Sequence, residues 1–142
     1  MAFNVLIVDD SLAMRSVLKK TIQMCGFKTG QILEAANGVE ALKSLKENWV
    51  DLVLADYNMP QMDGLQLIEE MKKDELLSKI PVVMVTTEGS EKQVRAFLEK
   101  GAADYLQKPF TPEQIKTKLN RIMGEPEDGD ESIEEGDDDL DF

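Results

Sequence analysis

The sequence predicts an α/β fold: a doubly wound, five-stranded parallel sheet made of five consecutive βα units. Two observations predict it. Apolar runs of strand length recur five times, and each stops abruptly on a polar or charged residue, as strands buried on both faces do. Each run is followed by turn or capping residues and then by apolar residues at helical spacing. Alternating strands and helices with short connections imply parallel pairing, right-handed crossovers and helices on both faces of the sheet.

The first strand, Phe3–Val8, is apolar and β-branched and ends at Asp9, Asp10 and Ser11. Ser11 suits a helix N-cap, and Leu12, Val17, Leu18 and Ile22 give that helix an apolar stripe until Gly26 stops it. Residues 31–36 form a shorter strand, followed by Asn37 and Gly38 as a turn and a helix carrying Val39, Leu42 and Leu45. The third strand, residues 50–55, ends on Asp56. Beyond it Asn58, Pro60, Asp63 and Gly64 carry turn chemistry, so a new helix starts near Leu65 with Ile68 and Met71 on its inner side. The polar stretch 72–78 closes that helix. Pro81 opens the fourth strand, a position where proline is tolerated, and the strand ends on Thr86 and Thr87. Ser90 caps the fourth helix, with Val94, Phe97 and Leu98 facing inward and Gly101 as its stop. The fifth strand, Asp104–Gln107, leads to Lys108 and Pro109. Thr111 and Pro112 then begin a last helix whose buried stripe is Ile115, Leu119 and Ile122.

Composition bounds the function. The 142 residues suit one domain, residues 1–124, followed by an acidic segment, 125–142. That segment holds 11 acidic residues and no basic one, which leaves 17 acids against 16 bases in the domain, so the net charge of −12 belongs to the tail. Residues 125–142 are too poor in apolar side chains to offset the entropy of ordering and are expected to be disordered, with Leu140 and Phe142 as a hint of a short docking motif. A nearly neutral domain argues against a broad nucleic-acid surface. No apolar run approaches the roughly 20 residues of a membrane span, and no signal-peptide core is present, so the expectation is a cytoplasmic protein. With no histidine, Ser-His-Asp and Cys-His catalysis and histidine metal sites are excluded, and metal ligands must be oxygens. Cys25, the single cysteine, reads as packing rather than as a reactive thiol.

The strand ends collect Asp9 and Asp10, Asp56, Thr86 with Thr87, and Lys108 at the sheet edge where open α/β sheets bind ligands. Three carboxylates in one crevice repel one another and require a cation. An octahedral Mg²⁺ suits them, and Lys108 adds a fixed positive charge. Such a set permits phosphoryl transfer to a carboxylate, with Asp56 as nucleophile and no general base needed.

The segments VDD at the first strand end, LADYNMPQMDG around Asp56, VTTEG after the fourth strand and YLQKPF at the fifth resemble the motifs of response-regulator receiver domains of two-component systems, and most closely those of the stand-alone, CheY-like chemotaxis members. The resemblance covers residues 3–123. It implies a flavodoxin-like (βα)5 sheet in strand order 2-1-3-4-5, and it casts Asp56 as phosphoacceptor and Asp10 as direct Mg²⁺ ligand. Asp9 would then hold metal-bound water, with the Asn58 backbone carbonyl completing the coordination. It further implies that Thr86 and Tyr105 form a switch, that Lys108 pairs with the phosphoryl group and precedes a cis peptide at Pro109, and that Asn58 and Glu88 tune phosphoryl lifetime. Met59, Pro60 and Met62 read as loop packing.

The implied partners are a histidine kinase of the CheA type as phosphodonor, a target protein on the surface of residues 89–123 such as a flagellar switch protein, and a phosphatase. No nucleic acid or membrane is expected, and the chain reads as a monomer whose only catalysis is its own phosphorylation and dephosphorylation. The alternatives are a phosphorelay intermediate or a regulator of another signalling output. An aspartyl phosphatase of the haloacid dehalogenase type is disfavoured because Asp9 and Asp10 are adjacent rather than spaced Asp-x-Asp. A flavodoxin-like cofactor binder is disfavoured by the acidic loop after the first strand.

Overall fold

A computed structural model of the chain describes residues 2–124. The expectations for 125–142 lie outside them. Five strands, β1 (Phe3–Val8), β2 (Thr29–Ala35), β3 (Leu52–Asp56), β4 (Val82–Thr86) and β5 (Asp104–Gln107), alternate with five helices, α1 (Leu12–Met24), α2 (Gly38–Glu47), α3 (Gly64–Lys72), α4 (Glu91–Glu99) and α5 (Pro112–Met123). A 3-10 turn, Leu77–Lys79, sits in the polar stretch before β4. The strands are parallel in the order β2-β1-β3-β4-β5, which makes β1 the point where the chain reverses direction across the sheet.

β3 and β4 are buried along their whole length, as their unbroken apolar sequences require. The sheet separates two cores. On one side Leu45, Leu67, Ile68, Met71 and Phe97 of α2, α3 and α4 pack on Leu6, Val53 and Met84. On the other, Leu18, Ile22, Ile115 and Leu119 of α1 and α5 pack on Val5, Ile7, Leu54 and Val85. Interleaved residues of one strand thus serve opposite layers, the two-residue period of a β-strand.

The caps form as their chemistry predicts. Ser11, Asn37, Asp63, Ser90 and Thr111 each accept a backbone N–H from the first turn of their helix, and Asp63 and Thr111 complete capping boxes with Gln66 and Gln114. Several apolar residues assigned inward are instead exposed: Leu12 and Val17 on α1, Val39 on α2 and Leu98 on α4. Ala41 on α2 and Leu67 on α3, not singled out by periodicity, are buried in their place. Cys25 is buried and caps the end of α1. No helix of the described residues is long and apolar enough to cross a membrane.

Candidate functional site

The C-terminal ends of β1, β3, β4 and β5 deliver the charged and hydroxylic residues to one edge of the sheet. Val8 pairs with Ala55 in the ladder, so Asp9, just past β1, and Asp56, the last residue of β3, leave adjacent strands at the same level. Each of Asp9, Asp10 and Asp56 offers a carboxylate oxygen, and these three atoms lie within 4.8 Å of one another. Lys108 Nζ reaches in from the end of β5, 3.4 Å from Asp56 Oδ1 and 3.9 Å from Asp9 Oδ2. Both contacts are long, and one lysine against three carboxylates leaves two negative charges uncompensated.

The surroundings raise the cost of that charge. Asp9 is 1% exposed and Asp56 is 7% exposed. Burial pushes both carboxyls above the usual carboxylate range, and the nearby carboxylates add to the rise. Lys108 opposes it in both, joined at Asp9 by the Ser11 backbone N–H. Ser11 N–H donates to Asp9 Oδ1 at 2.8 Å, while Asp9 Oδ2 is buried without a hydrogen-bond partner. An orphaned buried carboxylate oxygen beside two other carboxylates matches a hard dication with oxygen ligands, and Mg²⁺ fits this donor set.

Thr86 ends β4 fully buried, and its Oγ1 accepts the Glu88 backbone N–H at 3.0 Å, which leaves the hydroxyl proton free to donate. The backbone of Lys108 is held to the same residue, its N–H donating to Thr86 O at 2.7 Å, and the Lys108–Pro109 peptide is cis. Asn58 and Glu88 are exposed on the loops that flank the crevice. Tyr105, half-buried on β5, lies outside the carboxylate cluster, and Lys118 Nζ stands 4.3 Å from the centre of its ring. Met59 is buried and Met62 packs against the core, whereas Pro60 is exposed.

Two features of the site were not read from the sequence. Arg15, one turn into α1, donates from Nη1 to the Asp9 backbone carbonyl at 2.6 Å and from Nε to Glu34 Oε1 at 3.0 Å, and so ties the acidic loop to β2. No local pattern signals this, because Glu34 is 19 residues away. Gly64 is the second: a Cβ there would collide with the Met84 side chain and approach the Asp56 carbonyl oxygen to 3.0 Å. The close passage of α3 beneath the site therefore requires glycine.

Comparison with known proteins agrees with this geometry. The family model described as the response regulator receiver domain matches residues 5–120. The chain is 40% identical over 122 residues to the chemotaxis protein CheY1 of Helicobacter pylori, covering 85% of this chain and 97% of that protein. The same identity over 122 residues relates it to the chemotaxis protein CheY homolog of Campylobacter jejuni, with 85% and 92% covered. Among solved structures, Vibrio cholerae chemotaxis protein CheY4 superposes with a TM-score of 0.77 at 32% identity, covering 86% of this chain and 99% of that one. The acidic loop, the strand-end aspartate, the hydroxyl and the lysine thus stand on the fold and over the span of a single known family, and the chain belongs to the response regulator receiver domains.

Proposed function

We propose that this chain is a stand-alone response regulator that accepts a phosphoryl group on Asp56 from a histidine kinase and, once phosphorylated, changes its binding to a target protein. The reading rests on one observation above the others: three carboxylates, a hydroxyl and a lysine converge from four strand ends, with their negative charge only partly compensated. An Asp56 carboxylate oxygen attacks phosphorus while the P–N bond of a phosphohistidine breaks, and the leaving imidazole keeps the electron pair. Lys108 neutralises one phosphoryl oxygen, and Thr86 turns its hydroxyl from the Glu88 amide environment to donate to another. Asp10 and Asp56 would hold Mg²⁺ directly, with Asp9 through water and the Asn58 carbonyl as a further ligand. When bound, the ion supplies the two positive charges that the carboxylates and the incoming phosphoryl oxygens lack. Asn58 and Glu88 flank the approach of water and set the rate of hydrolysis. Catalysis by the chain is limited to this self-phosphorylation and dephosphorylation.

The output is the surface of α4, β5 and α5, where an open groove of about 360 Å³ runs beside Tyr105, Lys108 and Lys118. The resemblance to CheY proteins supports chemotaxis as the process, a CheA-type kinase as donor, a flagellar switch protein as target, a phosphatase as an additional partner, and a monomer working in the cytoplasm. A phosphorelay intermediate is the second reading. Incubation with acetyl phosphate, with and without Mg²⁺, followed by intact mass and adduct decay, separates them. A single phosphoryl increment that needs Mg²⁺, is lost in Asp56→Asn and decays within minutes fits the signalling module. An adduct stable for hours and transferable to a phosphotransfer protein fits the relay, and no adduct under any condition rejects both.

A further inference from the structure

α1 carries a cation on its inward side. Arg15 precedes the buried Leu18 and Ile22 by three and seven residues, so it shares their face, and its guanidinium reaches the point where β1 gives way to the acidic loop. The side chain is 14% exposed. Nη1 donates to the Asp9 backbone carbonyl at 2.6 Å, and Nε donates to Glu34 Oε1 on β2 at 3.0 Å. A charge-assisted bond to a carbonyl, anchored from behind by a carboxylate, is stronger than an exposed surface pair. Asp9 is also fixed at its N–H, which donates to Ala35 O at 3.1 Å, and at Oδ1, which accepts the Ser11 N–H at 2.8 Å. Asp10 differs. It has no hydrogen bond or ion pair of its own among the described residues, although its carboxylate is one of the three within 4.8 Å.

We propose that Arg15 is a positioning residue for the cation site: by holding the Asp9 carbonyl it fixes the Asp9–Asp10 peptide, and with it the arrangement in which the three carboxylates meet a divalent cation. The inference rests on the reading of this crevice as a Mg²⁺ site. A peptide group is planar, so the direction of the Asp9 C=O determines the plane that contains the Asp10 nitrogen and Cα. Asp10, with no bond of its own, takes its position from Asp9 on one side and from Ser11, the cap of α1, on the other. Releasing the carbonyl removes one of these two restraints. The three carboxylates repel one another, so a loop freed in this way lets them spread apart. Lysine does not replace arginine here, because a compact ammonium does not reproduce the planar fork that spans the carbonyl and Glu34. The two roles open to the guanidinium have opposite signs. A cation acting through space repels Mg²⁺, so its removal would tighten binding, whereas removal of a positioning residue loosens it.

The test titrates the full chain with Mg²⁺ alone by isothermal calorimetry, without a phosphodonor. Arg15→Ala and Arg15→Lys should each weaken Mg²⁺ binding by about 10-fold, as loss of a group that orients metal-binding residues does. Far-UV circular dichroism and the metal-free melting temperature, measured alongside, separate this from loss of fold: a purely structural brace would lower the melting temperature and leave the affinity of the folded chain unchanged. Glu34→Ala, at the more exposed end of the bridge, should weaken binding less. Added to Arg15→Ala it should change affinity by no more than about two-fold, because Glu34 acts only through Arg15. Where Arg15→Ala melts too low to titrate, Arg15→Lys and Glu34→Ala carry the same comparison. Adduct formation from acetyl phosphate gives a second readout, in which the deficit of the variants should close as Mg²⁺ is raised, since Asp56, Thr86 and Lys108 are untouched. Unchanged affinity in Arg15→Lys would overturn the proposal, and tighter binding in Arg15→Ala would replace it with a role of charge alone. An unaltered chain that binds no Mg²⁺ would overturn the reading of the crevice and the proposal with it, an outcome distinct from variants that match a chain that binds.

Discussion

At the scale of single residues, the site is a place where the fold holds charge it has not neutralised. Asp56 shows the consequence. Because burial raises its folded carboxyl above the ordinary value of 3.8, the folded state keeps a proton that the unfolded chain has already released as pH rises from that value. The contribution to stability is therefore unfavourable, grows through that window and is fully present above it. Asp56→Asn should make the metal-free protein more stable at neutral pH by about 1–2 kcal/mol, the scale of relieving one partly compensated buried carboxylate. Its advantage should shrink as pH is lowered through the raised pKa toward 3.8. Thermal melts of both proteins with chelator across that range check this, and an advantage that is constant with pH would contradict it. The Mg²⁺ proposed for this site would act in the same direction as the mutation. It should raise the melting temperature of the unaltered chain at neutral pH by mass action and do little for Asp56→Asn at equal concentration. Lys108→Ala is the complementary change: removing the one cation paired with Asp56 among the described residues should slow adduct formation from acetyl phosphate by about 10²–10³-fold, as loss of one electrostatic stabiliser of a transition state does. A rate within a factor of about three of the unaltered chain would remove Lys108 from the chemistry.

At the scale of elements, the sequence made the strand ends readable and the helix faces only partly so. An apolar run that stops on Asp56 marks a strand's end because a carboxylate is rarely buried within a sheet core and needs the partners that a strand-end crevice supplies, and the same logic placed Asp9, Thr86 and Lys108 at one edge. Helix faces lack so sharp a boundary. Leu98 follows Phe97 by one residue, or 100° around α4, so burying Phe97 completely turns Leu98 outward. Leu12 begins α1 beside the acidic loop and is exposed among the described residues. Arg15 and Gly64 were not legible as site residues because their roles depend on contacts with Glu34 and Met84, distant in sequence. Phe97 is the test of how much α4 depends on its single fully buried anchor, which packs 5.2 Å from the Tyr57 ring. Phe97→Ala should cost about 3–5 kcal/mol in urea unfolding, whereas Leu98→Ala should stay within about 1 kcal/mol. A large loss at Leu98 instead would mean that this exposed residue is covered by something else in solution.

At the scale of the whole molecule, the charged and hydroxylic residues gather at one edge of the sheet. The C-terminal edge holds the acidic crevice, and its link to the proposed output surface is short: the Lys108 backbone is bonded to Thr86, and α4 and α5 leave directly from the loops that follow Thr86 and Lys108. A phosphoryl group on Asp56 that recruits the Thr86 hydroxyl and the Lys108 ammonium would act on both loops at once. It would bias α4, β5 and α5 together while the two cores on either face of the sheet stay packed. Such a bias is bounded by what the new contacts supply, and moving a two-state surface from 1:99 to 99:1 takes about 5.5 kcal/mol of differential stabilisation. Charge-assisted bonds from Lys108 and Thr86 to phosphoryl oxygens, at about 1.5–3 kcal/mol each, come close to that. Amide hydrogen exchange with acetyl phosphate and Mg²⁺ should therefore change within residues 89–123 and in the loop after β3. Residues 50–51 and Ile80, at the N-terminal edge, should exchange as before. Asp56→Asn should abolish the difference. A change spread evenly over all five helices would replace the local switch with a general stabilisation of the domain by the ion and the phosphoryl group.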